Sequence, residues 1–210
     1  MTYLLATNNP GKVKEVQAIF ERHGLKLISL SDLGLFFEPT ETGTTFEENA
    51  IQKAVKTLEF LRRNSCNPQT QNTYGSDWGG IAVLADDSGL CIDALDGLPG
   101  VDSANYMGRE TPYEVRNAHI LQMLSNSQNR MAKFLCVIAC AYPCGKIITT
   151  EGAIHGEIAL APCGDSGFGY DPIFYVPEYS KTTAELTMEV KNKVSHRGKA
   201  LELMIRKLTL

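Results

Sequence analysis

The chain has 210 residues, of which 43% are hydrophobic and 21% are charged, and its formal net charge is -4 at pH 7. Such a length can bury a real hydrophobic core, and it fits a single domain or two closely packed lobes. The mildly acidic balance argues against nucleic acid as a partner, although a few focused lysines can still hold a small polyphosphate.

Strands and helices alternate in the first part of the chain. Residues 3–7 predict a short apolar strand, followed by a tight turn and a helix that ends at Gly24. Residues 25–30 predict a second strand, and residues 46–62 predict a helix with one apolar face. Residues 64–80 are polar and have no hydrophobic period, so we expect an exposed insertion in a single domain that spans 1–210.

The middle of the chain predicts a buried strand and then a helix. Residues 81–85 are apolar, and we expect the chain to turn at residues 86–89 and to continue extended over residues 90–94. Residues 111–124 predict a helix with Pro112 in its first turn, where the missing amide proton costs nothing.

The last elements are a hairpin and a helix. Residues 132–142 and 146–160 predict two long strands joined by a turn at residues 143–145, and residues 195–208 predict the final helix. Early alternation followed by a hairpin is typical of an α/β protein with a mixed sheet.

The cysteines predict no metal centre. They lack paired metal-ligand spacing, and no histidine lies near those that are four residues apart. We expect free, buried thiols at all six positions: Cys66, Cys91, Cys136, Cys140, Cys144 and Cys163.

No segment predicts a membrane protein. The apolar runs are all shorter than the roughly 20 residues of a membrane span, and polar residues follow the first strand before a leader segment has formed. We therefore expect a cytoplasmic protein with no membrane partner.

The first strand-to-helix turn carries the sequence Thr7-Asn8-Asn9-Pro10-Gly11-Lys12. Helix amides and the helix dipole attract phosphate at such a position, and the lysine adds a positive charge. An ordinary turn, in which an asparagine caps the helix and Lys12 is solvated, explains the same residues equally well.

The pair Asp86-Asp87 at the end of an apolar strand is the second candidate feature. If the chain stays extended, one carboxylate faces a cleft while the other braces the turn. Oxygen ligands on a rigid segment suit Mg²⁺, whereas an Asx-turn with locally satisfied carboxylates is the alternative. Among the nearby acids, Glu47 or Glu48 can simply stabilise the N-terminus of the helix that follows, so Glu41, which lies earlier in the loop, is the better candidate for a second metal ligand.

The C-terminal part contains a glycine-rich loop with two aromatic residues and Asp171. An aromatic ring can stack on a purine while a polar group reads the edge of the base, but the same loop can simply close a hydrophobic cluster. His196 and Arg197 open the last helix and supply cationic groups close to Lys191 in the sequence.

Taken in chain order, these segments resemble the Ham1/RdgB family, the inosine triphosphate pyrophosphatases. The resemblance runs through residues 6–12 with Glu15, and then through 41–43, 46–53, 85–90, 97–100, 167–172 and 195–198. It implies hydrolysis of aberrant purine nucleoside triphosphates (ITP, dITP, XTP) to the nucleoside monophosphate and pyrophosphate. It also implies an elongated mixed β-sheet with helices on both sides, two lobes that flank a central nucleotide cleft, and a homodimer.

The resemblance further implies the roles of individual residues. Glu41 and Asp87 would bind Mg²⁺, and Asp87 would be the proton acceptor. The residues implied to contact the triphosphate are Thr7, Asn8, Asn9, Pro10, Gly11, Lys12, Lys53 and Lys191. Those implied to bind the nucleotide or recognise its base are Ser88, Phe168, Gly169, Tyr170, Asp171, His196 and Arg197.

Two other functions fit parts of the same pattern. The similarly folded Maf-type proteins act on modified pyrimidine triphosphates, but the loop at residues 168–171 and the segment 195–197 favour the purine family. A non-catalytic nucleotide sensor would bind without releasing phosphate, yet this chain keeps the acids and lysines that hydrolysis requires.

Overall fold

The computed structural model of the protein describes residues 2–64 and 80–209. Within these residues lie five α-helices and seven β-strands. The strands are β1 Thr2–Leu5, β2 Lys26–Ser29, β3 Ala82–Ile92, β4 Met131–Ala141, β5 Ile147–Ile158, β6 Phe174–Val176 and β7 Lys181–Thr182. The helices are α1 Pro10–Arg22, α2 Phe46–Asn64, α3 Tyr113–Met123, α4 Met188–Val194 and α5 His196–Leu208.

The strands form one mixed sheet in the order β2-β1-β3-β4-β5-β6-β7. Strand β1 runs parallel to both of its neighbours, with Tyr3 opposite Leu27 in β2 and opposite Ala82 in β3. Strand β6 is antiparallel to β5 and to β7. The predicted α/β class with a mixed sheet is therefore confirmed.

The chain divides into two compact units. Unit one comprises Met1–Asp87, Val137–Glu151 and Ala200–Leu210, and unit two comprises Ser88–Cys136 and Gly152–Lys199. Leu4, Ile19 and Phe20 are among the fully buried side chains of unit one. The core of unit two is a cluster that includes Ile173 and Phe174. A single domain over 1–210 stays a prediction, and nearly all of the insertion expected at 64–80 lies outside the described residues.

The predicted turn at residues 86–89 is wrong, because β3 runs without interruption from Ala82 to Ile92. Asp, Ser and Gly favour turns in isolation, but pairing and burial in the interior of a sheet override that preference. Asp86 and Asp87 consequently lie within a strand, and both are buried.

Other differences concern the last third of the chain and the cysteines. Strands β6 and β7 and helix α4 are too short to show a hydrophobic period, and the sequence prediction missed them. Cys136 and Cys140 are buried, as expected, and Cys91 is half-buried. The expected burial is wrong for Cys144 and Cys163, which are exposed because both lie in loops. Cys66 lies outside the described residues. Among the described helices, none is long and apolar enough to cross a membrane.

A buried arginine organises the loop that precedes α3 in unit two. The guanidinium of Arg116, which is only 1% exposed, donates hydrogen bonds to the carbonyls of Ala104 (2.8 Å) and Gly108 (2.9 Å). It also reaches the carbonyl of Ser103 at 3.3 Å, and this carbonyl accepts a second hydrogen bond from the hydroxyl of Tyr170 at 2.8 Å. Arg116 therefore connects α3 to the glycine-rich loop through Ser103.

We predict that Arg116→Met lowers the free energy of unfolding by about 3 kcal/mol or more, because the four carbonyls that accept from this buried guanidinium lose their donor together. The matched control is Val115→Ala on the same helix, where the side chain is 48% exposed and the change should stay within about 0.5 kcal/mol. Urea unfolding measures both variants. A loss below about 1 kcal/mol in Arg116→Met would contradict the organising role.

Candidate functional site

The turn between β1 and α1 is closed by an asparagine cap. The Oδ1 of Asn9 accepts hydrogen bonds from the amides of Gly11 (2.9 Å) and Lys12 (3.2 Å), and the amide of Asn9 donates to Thr7 Oγ1 at 3.2 Å. The capping interpretation of Asn9 is therefore confirmed. Because the amides of Gly11 and Lys12 already have a partner, a phosphate that bound them would have to replace the side chain of Asn9.

Asn8 and Pro10 complete this turn. The Nδ2 of Asn8 donates to the carbonyl of Phe37 at 3.1 Å. This hydrogen bond fixes the loop between β2 and α2 beside the start of α1. Pro10 is the first residue of α1, a position at which the absent amide proton removes no helix hydrogen bond.

Lys12 is paired rather than solvated. Its Nζ lies 3.0 Å from Asp86 Oδ2, and its side chain is only 17% exposed, whereas that of Asp86 is 1% exposed. A carboxylate buried to this degree needs an opposite charge to stay ionised. Lys12 supplies that charge from the first turn of α1.

Lys53 connects the remaining acids of unit one. From helix α2 its Nζ donates to Asp87 Oδ1 at 3.0 Å and to the carbonyl of Asp86 at 3.0 Å. The same Nζ lies 3.2 Å from Glu41 Oε2. Glu41 and Asp87 are therefore brought together on one ammonium group. We refer to Lys12, Glu41, Lys53, Asp86 and Asp87 as the acid–lysine cluster.

The charges in this cluster shift two pKa values. Burial lowers the pKa of Lys53, but the carboxylates of Asp87, Asp86 and Glu41 outweigh that effect, and the pKa lies above its usual value. Burial raises the pKa of Glu41, and the nearby Asp87 raises it further, while Lys53 lowers it; the net shift is upward. Lys53 is thus held as a cation, and Glu41 is harder to ionise than an exposed glutamate.

The acid–lysine cluster fits a hard divalent cation. Asp87 Oδ2 is buried and has no hydrogen-bond partner among the described residues, and it belongs to a side chain that is 8% exposed. Carboxylate oxygens are the ligands that Mg²⁺ prefers, and one or two of them suffice when water and substrate phosphate complete the shell. In the described part of the chain, no group of three or more His, Cys, Asp or Glu residues is arranged to hold a metal by itself.

Of the two other acids near Glu41, Glu48 has the role expected at a helix start and Glu47 has a different one. Glu48 Oε2 accepts a hydrogen bond from the amide of Thr44 at 2.7 Å, and Thr45 Oγ1 accepts one from the amide of Glu48 at 3.1 Å. The hydrogen bond from Thr44 lowers the pKa of Glu48. Glu47 Oε1 accepts from the hydroxyl of Thr149 at 2.7 Å. Glu48 therefore stabilises the start of α2, whereas Glu47 connects this helix to β5 through Thr149.

Unit two contains a second group of predicted residues, centred on an aromatic ring. The Nζ of Lys191 lies 4.8 Å from the ring centroid of Phe168, and the Cζ of Arg197 lies 5.7 Å from it. Arg197 also donates from Nη2 to Ser88 Oγ at 3.0 Å. We refer to Ser88, Phe168, Asp171, Lys191 and Arg197 as the Phe168 cluster.

Asp171 holds this cluster in shape. Its Oδ2 accepts hydrogen bonds from Lys191 Nζ (2.8 Å) and from the amide of Phe168 (2.7 Å), and its Oδ1 accepts from Thr183 Oγ1 (2.8 Å). Gly167 has φ +82°, and a Cβ at this position would collide with the Asp171 carboxylate. The glycine is therefore needed for the loop to close on Asp171.

The remaining predicted residues of unit two are packed against its core. The imidazole of His196 stacks on Phe134 with ring centroids 4.8 Å apart, and the ring of Tyr170 packs edge-on against Tyr113 at 5.2 Å. The pKa of Tyr170 lies above its usual value, and the main cause is burial of the side chain. The carbonyl of Gly169 accepts a hydrogen bond from Asn117 Nδ2 at 3.2 Å.

The structure thus brings the predicted residues together in two groups, one in each unit. Sequence reasoning missed Asn117 and Thr183, which hold the glycine-rich loop and Asp171. Each is far from its partner along the chain, and neither belongs to a motif, so no local signal identifies it.

Comparison with known proteins gives a consistent result. Residues 3–207 match the Ham1 family. A dITP/XTP pyrophosphatase of Exiguobacterium sp. is 45% identical over 201 residues, which cover 96% of this chain and 93% of that protein. A dITP/XTP pyrophosphatase of Thermus thermophilus is 43% identical over 207 residues, which cover 98% of this chain and 90% of that protein.

Solved structures share the same fold. The Ham1 protein of Staphylococcus aureus matches with a TM-score of 0.81 and 38% identity, covering 100% of this chain and 98% of its own. A HAM1 protein of Coxiella burnetii matches with a TM-score of 0.80 and 37% identity, again covering 100% of this chain and 98% of its own.

We predict that Asp171→Asn lowers the free energy of unfolding by about 3–5 kcal/mol, because it removes the negative partner of a buried ion pair with Lys191. The control is Glu189→Gln, which breaks an exposed ion pair with Lys193 and should cost less than about 0.5 kcal/mol. Urea unfolding of both variants tests the difference. Equal stabilities would show that Asp171 does not organise the loop.

Proposed function

The chain belongs to the Ham1 family, and on this premise we propose that it hydrolyses aberrant purine nucleoside triphosphates such as ITP, dITP and XTP to the monophosphate and pyrophosphate. It is therefore a hydrolase of the α–β phosphoanhydride. The observation that carries the proposal is the convergence of Glu41 and Asp87 on Lys53, next to the pair of Lys12 with Asp86.

Hydrolysis at the α-phosphorus requires a base and charge neutralisation. A water oxygen forms the new bond to the α-phosphorus while the bond from this phosphorus to the α–β bridging oxygen breaks, and the electron pair leaves with pyrophosphate. A carboxylate has about four lone-pair sites, and Lys53 uses one on Asp87. Asp87, which keeps lone pairs beyond the one that Lys53 uses, is the carboxylate that we assign to accept the proton of the attacking water.

The lysines provide the main electrostatic assistance. Negative charge grows on the leaving pyrophosphate as the bridging bond breaks, and fixed cations lower the energy of that state. Lys12 and Lys53 are both largely buried, so water screens their charge less than it would at the surface. The contact of each lysine with a carboxylate also fixes its position before the substrate arrives.

We propose Mg²⁺ as the cofactor, held by Glu41 and Asp87. The support is the set of hard oxygen donors and the buried Asp87 Oδ2 described above. When bound, a divalent ion would polarise the phosphoryl oxygens and offset their charge.

We assign nucleotide binding in unit two to the Phe168 cluster. Phe168 offers an aromatic surface for a base, and Arg197 and His196 are the candidates that donate to the 6-carbonyl of hypoxanthine or xanthine. Adenine presents an amine at this position, so a donor would face a donor and ATP would be rejected. This argument does not by itself exclude GTP, which shares the 6-carbonyl.

A cytoplasmic location and a homodimer are also part of the proposal. All five cysteines in the described part of the chain are free thiols, which is typical of proteins in a reducing compartment. The homodimer stays a prediction from the family resemblance, and sedimentation or mass measurement in solution tests it.

We predict that ITP, dITP and XTP are cleaved in the presence of Mg²⁺ far faster than ATP or dUTP, and that chelation of the metal stops turnover. The assay compares these triphosphates and GTP, with separate detection of pyrophosphate and orthophosphate. Pyrophosphate should be the primary product. Orthophosphate as the first product would instead identify a phosphatase, and binding without either product would identify a nucleotide sensor.

We further predict that Asp87→Asn lowers kcat for dITP by about 10²–10⁴-fold, because the amide cannot accept the proton of the attacking water. Circular dichroism should show an intact fold. The control is Asp93→Asn, the same chemical change at an exposed residue just beyond β3, which should leave kcat unchanged. Undiminished pyrophosphate release by Asp87→Asn would refute the assignment.

A further inference from the structure

We propose that Lys53 is an exchangeable cation: it holds Glu41 and Asp87 together in the metal-free protein and leaves Glu41 when a divalent ion binds. The inference rests on the proposed function, because that function supplies the metal. It assigns to Lys53 a role before the substrate arrives, in addition to contact with the triphosphate.

The geometry of Lys53 matches that of a bound cation. Its Nζ is surrounded by three oxygens, which are Asp87 Oδ1 at 3.0 Å, the carbonyl of Asp86 at 3.0 Å and Glu41 Oε2 at 3.2 Å. An ammonium group has three N–H donors, so these oxygens use its full donor capacity. A metal ion bound to the same two carboxylates would replace the charge that Lys53 now provides.

The three contacts differ in how easily they break. The Asp86 carbonyl belongs to the backbone of β3, and the Asp87 side chain is 8% exposed, so both are fixed inside unit one. The Glu41 side chain is 37% exposed and lies in a loop. The contact between Lys53 and Glu41 is therefore the one that a metal ion can open at least cost.

Asp87 offers the entering metal a binding atom that Lys53 does not occupy. Lys53 contacts Oδ1, whereas the buried Oδ2 has no hydrogen-bond partner among the described residues. A divalent ion held by Asp87 and Glu41 would add positive charge beside the ammonium, and like charges repel strongly in a site with little water. Repulsion would drive Lys53 from Glu41 and free one of its donors for a phosphate oxygen.

This exchange would couple the metal to the triphosphate. Metal binding frees a donor of Lys53, and a phosphate that takes this donor opposes the return of Lys53 to Glu41. The two ligands would consequently strengthen each other's binding, and the coupling is reciprocal by thermodynamic linkage.

Mn²⁺ binding without nucleotide tests the exchange. Binding of Mn²⁺ is measured by electron paramagnetic resonance for the wild type and for the variants Lys53→Met, Lys53→Gln, Lys56→Met and Asp87→Asn. Lys56 is one turn further along α2 and contacts the carbonyl of Thr40 and the side chain of Gln52 rather than an acid, so it is the matched control.

We expect both Lys53 variants to bind Mn²⁺ about tenfold more tightly than the wild type, a difference of about 1.4 kcal/mol. Lys56→Met should bind as the wild type does, and Asp87→Asn should bind more weakly. If the Lys53 variants bind Mn²⁺ no more tightly than the wild type does, the exchange is overturned. Undiminished affinity in Asp87→Asn overturns it as well.

Thermal unfolding separates the exchange from a purely structural role of Lys53. Without metal, Lys53→Met should melt at a lower temperature than the wild type, because Glu41 and Asp87 then lack their shared cation. Added Mg²⁺ should raise the melting temperature of this variant more than that of the wild type. If Lys53 is only structural, Mg²⁺ will raise both melting temperatures equally, and this result overturns the exchange.

A measurement on the wild type decides the question even if the variants fold poorly. In protein labelled with ¹³Cε-lysine, the Lys53 resonance should shift when Mg²⁺ is added without nucleotide, and the Lys56 resonance should not. An unmoved Lys53 signal at saturating Mg²⁺ overturns the exchange.

Pyrophosphate release from dITP, measured in parallel, keeps the two proposals apart. Turnover by the wild type without the affinity change in the Lys53 variants overturns the exchange and supports the function. The affinity change without pyrophosphate release from any purine triphosphate supports the exchange and overturns the function.

Discussion

The acid–lysine cluster depends on one ammonium group shared by two segments of the chain. Glu41 lies in a loop and Asp87 in a central strand, and the Nζ of Lys53 contacts both. Two carboxylates held this close to each other repel unless a cation lies between them. Helix α2 must therefore pack against β3 with Lys53 in register, and this requirement links the position of the helix to the chemistry of the site.

Unit two also contains a buried carboxylate next to a lysine, but the oxygens of this carboxylate are bound differently. Asp171 is buried beside Lys191, but both of its oxygens are occupied by Lys191, Thr183 and the amide of Phe168. In unit one, by contrast, Asp87 Oδ2 has no hydrogen-bond partner among the described residues. A saturated carboxylate stabilises a loop, whereas a carboxylate with an open oxygen can accept a proton or a metal ion. The same residue type thus holds a loop in one unit and, in the other, keeps an oxygen that the proposed function uses.

The sequence predicts the helices and strands that have a clear hydrophobic period, and it misses the short ones. Helix α2 and the β4–β5 hairpin are long and regular, so their positions are close to those predicted. The motifs and the family resemblance identify the acids and lysines, but not which of them pair. Lys53 and Asp87 are 34 positions apart, and only the packing of a helix on a strand brings them together. Asn117 and Thr183 support the candidate site from outside any motif, which is why the sequence does not reveal them.

The unbroken path of β3 through Asp86 and Asp87 has a physical consequence. Successive side chains of a strand project to opposite faces, so the two carboxylates point apart, and each meets a lysine from a different helix. A turn would have let both side chains reorient, but a paired strand fixes their directions. Aspartate is unfavourable inside a central strand, and here two adjacent aspartates are buried. Here two lysines compensate the unfavourable burial of the aspartates, and a conflict of this kind between local preference and fold is expected at functional or strained sites.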